Sequence, residues 1–360
     1  MGGCPQALGV PLLGPYPSAM TPKNPLLTAL TVSLAALTAT AAPAPAGKFK
    51  PKGIYGADDR RELSQVQSPT VKAWADATVA IFQAGSVTAD AEKKTSALTT
   101  KPFDKAGVRT PDAPWGAAVE LCPDEPYKGQ GAGAFCSGSL VGPDLVMTAG
   151  HCMETEEECK AAKFVFGFAA GKDGQPSASV SSDEVYSCGK LVAQKLEMKG
   201  ADYAIVKLDR EVTNHKPLRL RRSGNPPNGT PLVVIGHPVG LPTKVAGGAS
   251  IRQDDGGGYL VANLDTYGGN SGSAVLNSVT GEVEGILVRG GADFEYDAER
   301  KCARSVKAMN DTGRGEDVTL VSNVTGFIPD ANKPKTIADA KPSDKALKVL
   351  ALLETGVSPF

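Results

Sequence analysis

The 360-residue sequence has little charge, few histidines and no hydrophobic run of membrane-spanning length. Charged residues make up 21% of the chain, and 38 Lys and Arg against 39 Asp and Glu give a formal net charge of −1. The chain lacks the basic field that attracts nucleic acid, so we expect no nucleic-acid partner. Its longest apolar run falls short of the roughly 20 residues that a membrane helix requires, so we expect no membrane span.

The first 46 residues have the organisation of a secretory signal. Lys23 precedes an apolar run at 26–37, and small residues follow at 39–41 and 44–46. A charged start, an apolar core and a small-residue cleavage site are the three parts of a signal peptide. Residues 1–19 carry no positive charge, which favours a translation start at Met20. We predict a signal peptide over 1–46 and a secreted protein, extracellular or periplasmic.

The cysteines fit an oxidising compartment. A start at Met20 would remove Cys4 from the seven cysteines and leave an even set: Cys122, Cys136, Cys152, Cys159, Cys188 and Cys302. This set allows fifteen pairings. We predict one bond, Cys136–Cys152, which would tie the strand that begins at Cys136 to the residue after His151. The pairing of the other four cysteines stays open.

Two kinds of segment follow the signal. Residues 47–110 are mixed, with apolar side chains at helical spacing around Trp74, and they predict either an N-terminal extension packed on the main domain or a propeptide. From Trp115 onward, short β segments alternate with Gly, Pro and Asn, which predicts an all-β domain over 111–330. We predict strands at 139–141, 145–148, 164–168, 185–192, 203–208, 231–235, 259–263, 273–276, 283–288 and 318–321.

Regular spacing of short strands is typical of a pair of antiparallel barrels. Residues 331–360 predict a polar linker and a short C-terminal helix at 344–353, for which Ser343 would be the N-cap. The acidic cluster at 154–158 lacks the spacing of a calcium loop, so we assign no metal and no cofactor.

A nucleophile and a base are indicated by two short motifs. Ser271 lies in Gly269-Asn270-Ser271-Gly272-Ser273, and a serine hydroxyl needs an adjacent base, for which an imidazole is well matched. Of the three histidines, only His151 lies beside a cysteine in the strand-end motif Thr148-Ala149-Gly150-His151-Cys152. We predict His151 as the base, and the main-chain amides of Gly269 and Ser271 as donors to an oxyanion.

A carboxylate is needed to orient the imidazole. Asp202 opens the apolar run Tyr203-Ala204-Ile205-Val206, where it could face inward. Asp209, at the other end of that run, stands beside Arg210 and Glu211 and resembles a solvated turn. We predict Asp202 and keep Asp209 as the rival.

The order His, Asp, Ser and the motifs around Cys136–Cys152, 202–208 and 265–273 resemble the active-site blocks of trypsin-like, chymotrypsin-fold serine peptidases. The motif Gly269–Ser273 is more similar to the bacterial branch that includes glutamyl endopeptidases. The resemblance covers about 115–327 and implies two antiparallel six-stranded Greek-key barrels, a catalytic triad of His151, Asp202 and Ser271, and protein or peptide substrates. We also expect a monomer. The segment Pro114-Trp115-Gly116-Ala117-Ala118-Val119 resembles the entry strand of the family.

The resemblance leaves specificity and activation open. Asp265 matches the carboxylate at the floor of the trypsin specificity pocket, and Val288, Arg289 and Gly290 match its wall, which implies cleavage after Arg or Lys. Arg289 stands where the family usually has an aromatic residue and could instead neutralise Asp265 or attract an acidic side chain. Asn270 replaces the aspartate that receives the new N-terminus in animal zymogens. The alternative functions are a glutamyl-specific endopeptidase of the same fold and a catalytically silent secreted binding protein on the same scaffold.

Overall fold

Strands dominate the computed structural model, which describes residues 53–254 and 256–330. Its helices are two short segments, Pro69–Ala75 and Glu156–Lys160, together with several single 3-10 turns. Ser68 caps the first helix and Thr155 the second through side-chain oxygens. The predicted signal peptide and the predicted C-terminal helix lie outside the described residues. No helix in the described part is long and apolar enough to cross a membrane.

The first barrel is a closed ring of six antiparallel strands. Val79, Ile81, Leu140, Val146 and Val206 have no exposed surface and share its inner face by strand register. Around the ring, the strands are Thr78–Gln83, Cys136–Gly142, Leu145–Thr148, Asp202–Leu208, Val185–Leu196 and Ala162–Val165.

The second barrel is also closed, because Glu282–Arg289 pairs with Glu316–Leu320 as well as with Ala274–Asn277. Around the ring, its strands are Pro231–Gly236, Lys244–Asp254, Tyr259–Ala262, Glu316–Leu320, Glu282–Arg289 and Ala274–Asn277. Numbered along the chain within each barrel, the strands of both follow the ring order 1-2-3-6-5-4. This is a Greek-key arrangement, and it confirms the predicted pair of six-stranded barrels.

One barrel strand comes from upstream of the predicted domain boundary. Thr78–Gln83 pairs with Cys136–Gly142 on one side and with Ala162–Val165 on the other. The helical spacing around Trp74 continues only to the end of the helix Pro69–Ala75. Val79 and Ile81 then alternate inward as strand residues. The boundary at 111 therefore does not separate the barrels from an upstream extension.

The expectation that residues 114–119 form the entry strand of the barrels was wrong. Ala117–Glu120 pairs with Lys105–Val108 in a separate two-stranded sheet. Trp115 is 96% exposed in the turn between these strands, so it contributes nothing to a barrel core. The first strand position is taken by Thr78–Gln83.

Other short strands attach to the barrels. Arg60–Glu62 pairs with the first three residues of Lys244–Asp254, and Ile54–Tyr55 pairs with Lys307–Ala308. The remaining paired segments are Val87–Asp90, Thr95–Leu98 and Ser179–Ser181; Lys101–Pro102 and Gly131–Ala132; Phe294–Asp297 and Cys302–Ser305; and Arg219–Leu220, which pairs with Glu282–Arg289.

Three disulfides join the described cysteines. The predicted Cys136–Cys152 bond is present and closes a sequence separation of 16. Cys159–Cys188 links the helix Glu156–Lys160 to a barrel strand, and Cys122–Cys302 spans 180 residues. Two of the three pairs thus cross-link segments that are distant in the sequence, which constrains the unfolded chain strongly.

Candidate active site

His151 lies in the 3-10 turn Gly150–Cys152, directly after the barrel strand Leu145–Thr148. Cys152 in this turn is bonded to Cys136, the first residue of the adjacent strand. The ring is therefore carried by a short turn that is fixed at both ends. Cys136, His151 and Cys152 are close enough to hold a metal ion, but both sulfurs are in the disulfide and neither is a thiolate ligand.

Asp202 is the inward-facing first residue of its strand and is 1% exposed. Its Oδ2 lies 2.8 Å from His151 Nδ1. Its Oδ1 accepts the main-chain N–H groups of Gly150 at 2.6 Å and His151 at 3.1 Å. The carboxylate therefore favours the tautomer with the proton on Nδ1 and leaves Nε2 as an acceptor.

The rival Asp209 lies at the opposite end of the same strand. Its side chain is 39% exposed and pairs with Arg210 at 3.3 Å. Because Asp202 and not Asp209 contacts His151, the structure brings together the pair that the sequence favoured.

The other two histidines are held elsewhere. His215 stacks on Phe166 and lies 2.6 Å from Glu184. His237 is buried, its Nδ1 lies 3.0 Å from the Leu241 carbonyl oxygen, and burial lowers its pKa to about 3. Neither ring is placed beside Ser271 by these contacts.

Ser271 is positioned by its own carbonyl oxygen, which accepts the N–H of Ser137 at 2.8 Å. Cys152 Sγ lies 3.8 Å from the same oxygen, so the nucleophile motif packs against the disulfide that flanks His151. Gly272 has φ +89°, and a Cβ there would lie 2.0 Å from Ser137 O, so only glycine fits this close approach. The Ser271 hydroxyl makes no hydrogen bond within the described residues; such contacts often tighten only when substrate binds.

Two main-chain donors flank Asn270. Gly269 has φ +88°, and its carbonyl oxygen accepts the Ser137 hydroxyl at 2.8 Å. Within the described part of the chain, the N–H groups of Gly269 and Ser271 have no protein acceptor. Unpaired donors of this kind are what a developing oxyanion requires. Asn270 is buried, and its Oδ1 accepts the Ser273 hydroxyl at 3.2 Å.

A polar cavity opens beside Ser271. One wall is formed by Thr266, Tyr267 and Gly268, and the other by Leu287, Val288, Arg289, Gly290 and Gly291. Asp293 and Glu316 complete its lining. A Cβ on Gly290 would lie 1.9 Å from Glu316 Oε2, so the missing side chain makes room for this carboxyl group.

Both acids of the cavity are perturbed by burial. Burial raises the pKa of Asp293 to about 6, although the Gly268 N–H donates to its Oδ2 at 2.7 Å. Burial, and then the charge of Asp293, raises the pKa of Glu316 well above its usual range. Carboxylates that lack a full countercharge in a small cavity favour a cationic ligand.

Asp265, expected at the pocket floor, is not among the residues that line this cavity. Its Oδ1 accepts the N–H of Tyr55 at 2.7 Å, and its Oδ2 accepts the N–H of Asp59 at 2.8 Å. Both oxygens thus accept main-chain N–H groups from residues 53–62. The acids that line the cavity beside Ser271 are Asp293 and Glu316 and do not include Asp265.

Arg289 lines the cavity, and its guanidinium is engaged by other protein groups. It pairs with Asp317 at 3.1 Å and donates to the carbonyl oxygens of Glu197 and Gly200. Its Nη1 also lies 3.8 Å from Asp202 Oδ2. It therefore neither neutralises Asp265 nor presents a free cation to substrate, while Val288 and Gly290 lie in the wall as predicted.

Sequence reasoning missed Asp293 and Glu316. Glu316 begins a strand that was predicted two residues late, and Asp293 lies in the connection before Phe294–Asp297. Neither belongs to a local motif. The available signal was two acids that follow the predicted strand 283–288, and it becomes specific only when Glu316–Leu320 pairs with that strand.

Three comparisons with known proteins bear on this site. Residues 136–286 match the family model described as a trypsin-like peptidase domain. A trypsin from Sarcophaga bullata is 33% identical over 107 residues, which is 28% of this chain and 39% of that protein. The structure of the VesB protease from Vibrio cholerae is 16% identical, with a TM-score of 0.43, and the match covers 75% of this chain and 66% of that chain.

The chain thus covers less than two thirds of each of these two proteins. The matched family segment contains His151, Asp202 and Ser271 and runs from the first residue of the strand Cys136–Gly142 into Glu282–Arg289. Residues 136–286 are thus similar to a trypsin-like peptidase domain, and the two closed barrels agree with that similarity.

Proposed function

We propose that this protein is a secreted serine endopeptidase that hydrolyses peptide bonds through an acyl-enzyme on Ser271. His151 Nε2 takes the hydroxyl proton as Ser271 Oγ bonds to the substrate carbonyl carbon. The amides of Gly269 and Ser271 donate to the oxygen that becomes negative. The same proton passes to the leaving amine as the C–N bond breaks, and a water molecule then repeats the steps to release the acid.

The observation that carries this proposal is the Asp202 carboxylate, which contacts three nitrogens at once. It lies 2.8 Å from His151 Nδ1 and accepts the N–H groups of Gly150 and His151. A buried carboxylate in this position holds the imidazole in one tautomer and stabilises the imidazolium that forms during the reaction. A purely structural aspartate would have no need to orient the ring.

Cleavage after Arg or Lys is supported by the chemistry of the cavity beside Ser271. Its lining includes the acids Asp293 and Glu316, and the guanidinium of the lining residue Arg289 is paired with Asp317 at 3.1 Å. A cationic side chain would supply the countercharge that both acids lack. An acidic substrate side chain would instead add a third negative charge, which disfavours cleavage after Glu.

Secretion is supported by the cysteines. All six described cysteines are in disulfides, a pattern typical of proteins that leave the reducing cytoplasm.

Two variants, the second with a matched control, test the proposed function. Ser271→Ala should abolish turnover and labelling by a fluorophosphonate probe while the melting temperature is retained. Asp202→Asn should lower kcat by about 10⁴, the loss found for such a change in a serine protease, whereas Asp209→Asn should keep nearly full activity. Undiminished hydrolysis by Ser271→Ala would reject the proposal, and cleavage of a peptide library after Glu would reject only the specificity.

A further inference from the structure

Residues 53–62, here called the upstream segment, lie directly against the chain that leads to the nucleophile. The Thr266 N–H donates to Gly53 O at 3.2 Å. The N–H groups of Tyr55 and Asp59 donate to the two oxygens of Asp265 at 2.7 and 2.8 Å. Asp265 is 3% exposed, so these contacts form in a buried setting where an unmade hydrogen bond is costly.

Arg60 extends the contact to Tyr267. Its guanidinium is buried, donates to the Tyr267 hydroxyl at 2.9 Å and lies 4.0 Å from the centre of the Tyr267 ring. Asp58 Oδ2 lies 2.6 Å from Arg60 Nη2 and neutralises the guanidinium. Three consecutive residues, Asp265, Thr266 and Tyr267, are therefore each held by the upstream segment.

The upstream segment is itself fixed to the second barrel. Arg60–Glu62 pairs with Lys244–Asp254, and the buried Lys244 ammonium donates to Glu62 at 3.1 Å. The Tyr55 hydroxyl accepts the Gly315 N–H at 2.9 Å. The upstream segment thus connects residues 265–267 to the second barrel through these contacts.

Residues 265–267 in turn set the geometry of the oxyanion donors. The Tyr267 carbonyl oxygen accepts the Asn270 N–H at 3.0 Å, and Gly268 donates to Asp293. Asn270 Oδ1 accepts the Ser273 hydroxyl, and Asn270 has no carboxylate that could pair with a free N-terminus. The loop Gly268–Ser271 therefore needs another support, and the upstream segment makes the contacts that provide one.

We propose that the upstream segment is a permanent support of the oxyanion loop and that Asp265 is the positioning residue that fastens it. The inference rests on the proposed function and deepens it. Any maturation cleavage would then fall before residue 53, and the segment would remain part of the active enzyme. Asp265 acts on catalysis through the loop and equally for every substrate side chain.

The test compares Asp265→Ala and Asp265→Asn with Asp297→Ala in the full chain. Asp297 is a matched control because it is also buried and also accepts two main-chain N–H groups, those of Glu299 and Arg300. Each protein is assayed with peptide substrates that have Arg or norleucine before the cleaved bond, and competent sites are counted with a fluorophosphonate. Hydrogen exchange is followed at 53–62, 266–271 and 294–305.

Asp265→Ala should lower kcat about tenfold or more for both substrates, with little change in KM, because oxyanion donors misplaced by a fraction of an ångström lose much of their effect. Exchange should rise at 53–62 and at 266–271. Asp265→Asn keeps one acceptor oxygen and should give a smaller loss, which covers the case in which the alanine variant fails to fold. Asp297→Ala should retain kcat.

Two results would overturn the inference while leaving the proposed function intact. A loss confined to the Arg substrate would make Asp265 a pocket residue. Faster exchange confined to 53–62, with 266–271 still protected, would show that the segment does not support the loop, and this readout holds even if the wild-type protein proves inactive. Absence of labelling in wild type would instead count against the proposed function.

Discussion

The preference for a cationic substrate should depend on pH through Asp293. Burial raises the pKa of this carboxyl group to about 6, while Arg60 and the Gly268 N–H oppose the shift. The pKa of Glu316, which also lines the cavity, lies well above its usual range. At mildly acid pH the cavity is therefore largely neutral, and its negative charge appears as the pH rises through 6.

The size of the effect follows from the ionised fraction. For a carboxyl group with a pKa of about 6, roughly a tenth is ionised at about pH 5 and nearly all at about pH 7.5. If only the ionised cavity pairs with a substrate cation, the preference for Arg should rise about tenfold over this range.

The assay measures kcat/KM for two peptides that differ only in having Arg or citrulline, its neutral isostere, before the cleaved bond. Their ratio cancels the protonation of His151, because both peptides use the same base. Asp293→Asn retains an acceptor for the Gly268 N–H and should give a low, nearly flat ratio. A flat ratio in wild type, or an unchanged rise in Asp293→Asn, would refute the assignment of Asp293 to the pocket.

Three other predictions concern stability and the pocket. Removing the Cys122–Cys302 disulfide should lower the free energy of unfolding by about 5 kcal/mol, and removing Cys136–Cys152 should lower it by about 3 kcal/mol. Removing Cys136–Cys152 should nevertheless reduce kcat more. Denaturant titration measures the first effect and turnover the second, and the reverse order in kcat would contradict the role given to the His151 turn. Burial disfavours charge on His215, but its carboxylate neighbours, led by Glu184, outweigh this and raise its pKa. The ion pairing of His215 should therefore stabilise the fold fully below about pH 6.5, and this stabilisation should be lost as the pH rises through the folded-state pKa. Urea titrations from pH 6 to 8.5 should show this dependence in wild type and not in His215→Gln. Gly290→Ala should lower kcat/KM for Arg peptides at least about tenfold, since the alanine Cβ would collide with Glu316. The same kcat/KM in Gly290→Ala and wild type would show that the cavity is not the specificity pocket.

Local patterns were enough to predict most of the fold and to indicate the candidate reacting groups. Alternating apolar residues and turn residues predicted most of the barrel strands, because side-chain period and turn chemistry act over a few residues. His151 and Ser271 stood out for the same reason, since each lies in a short motif with its own glycines or cysteine. Asp202 was distinguishable from Asp209 by the apolar run that follows it.

Tertiary structure alone decided what surrounds those groups. Tyr55 and Asp265 are 210 residues apart in the chain, yet one donates to the other, and no local pattern encodes such a contact. The same applies to the strand Thr78–Gln83, which resembled part of a helix until its edges were paired. The carboxyl groups of Asp293 and Glu316 acquire their raised pKa values chiefly through burial in the folded protein. The sequence by itself therefore indicated the candidate reacting groups, whose signals are local, whereas closure of the barrels decided which acids line the cavity beside Ser271 and which one accepts hydrogen bonds from the upstream segment.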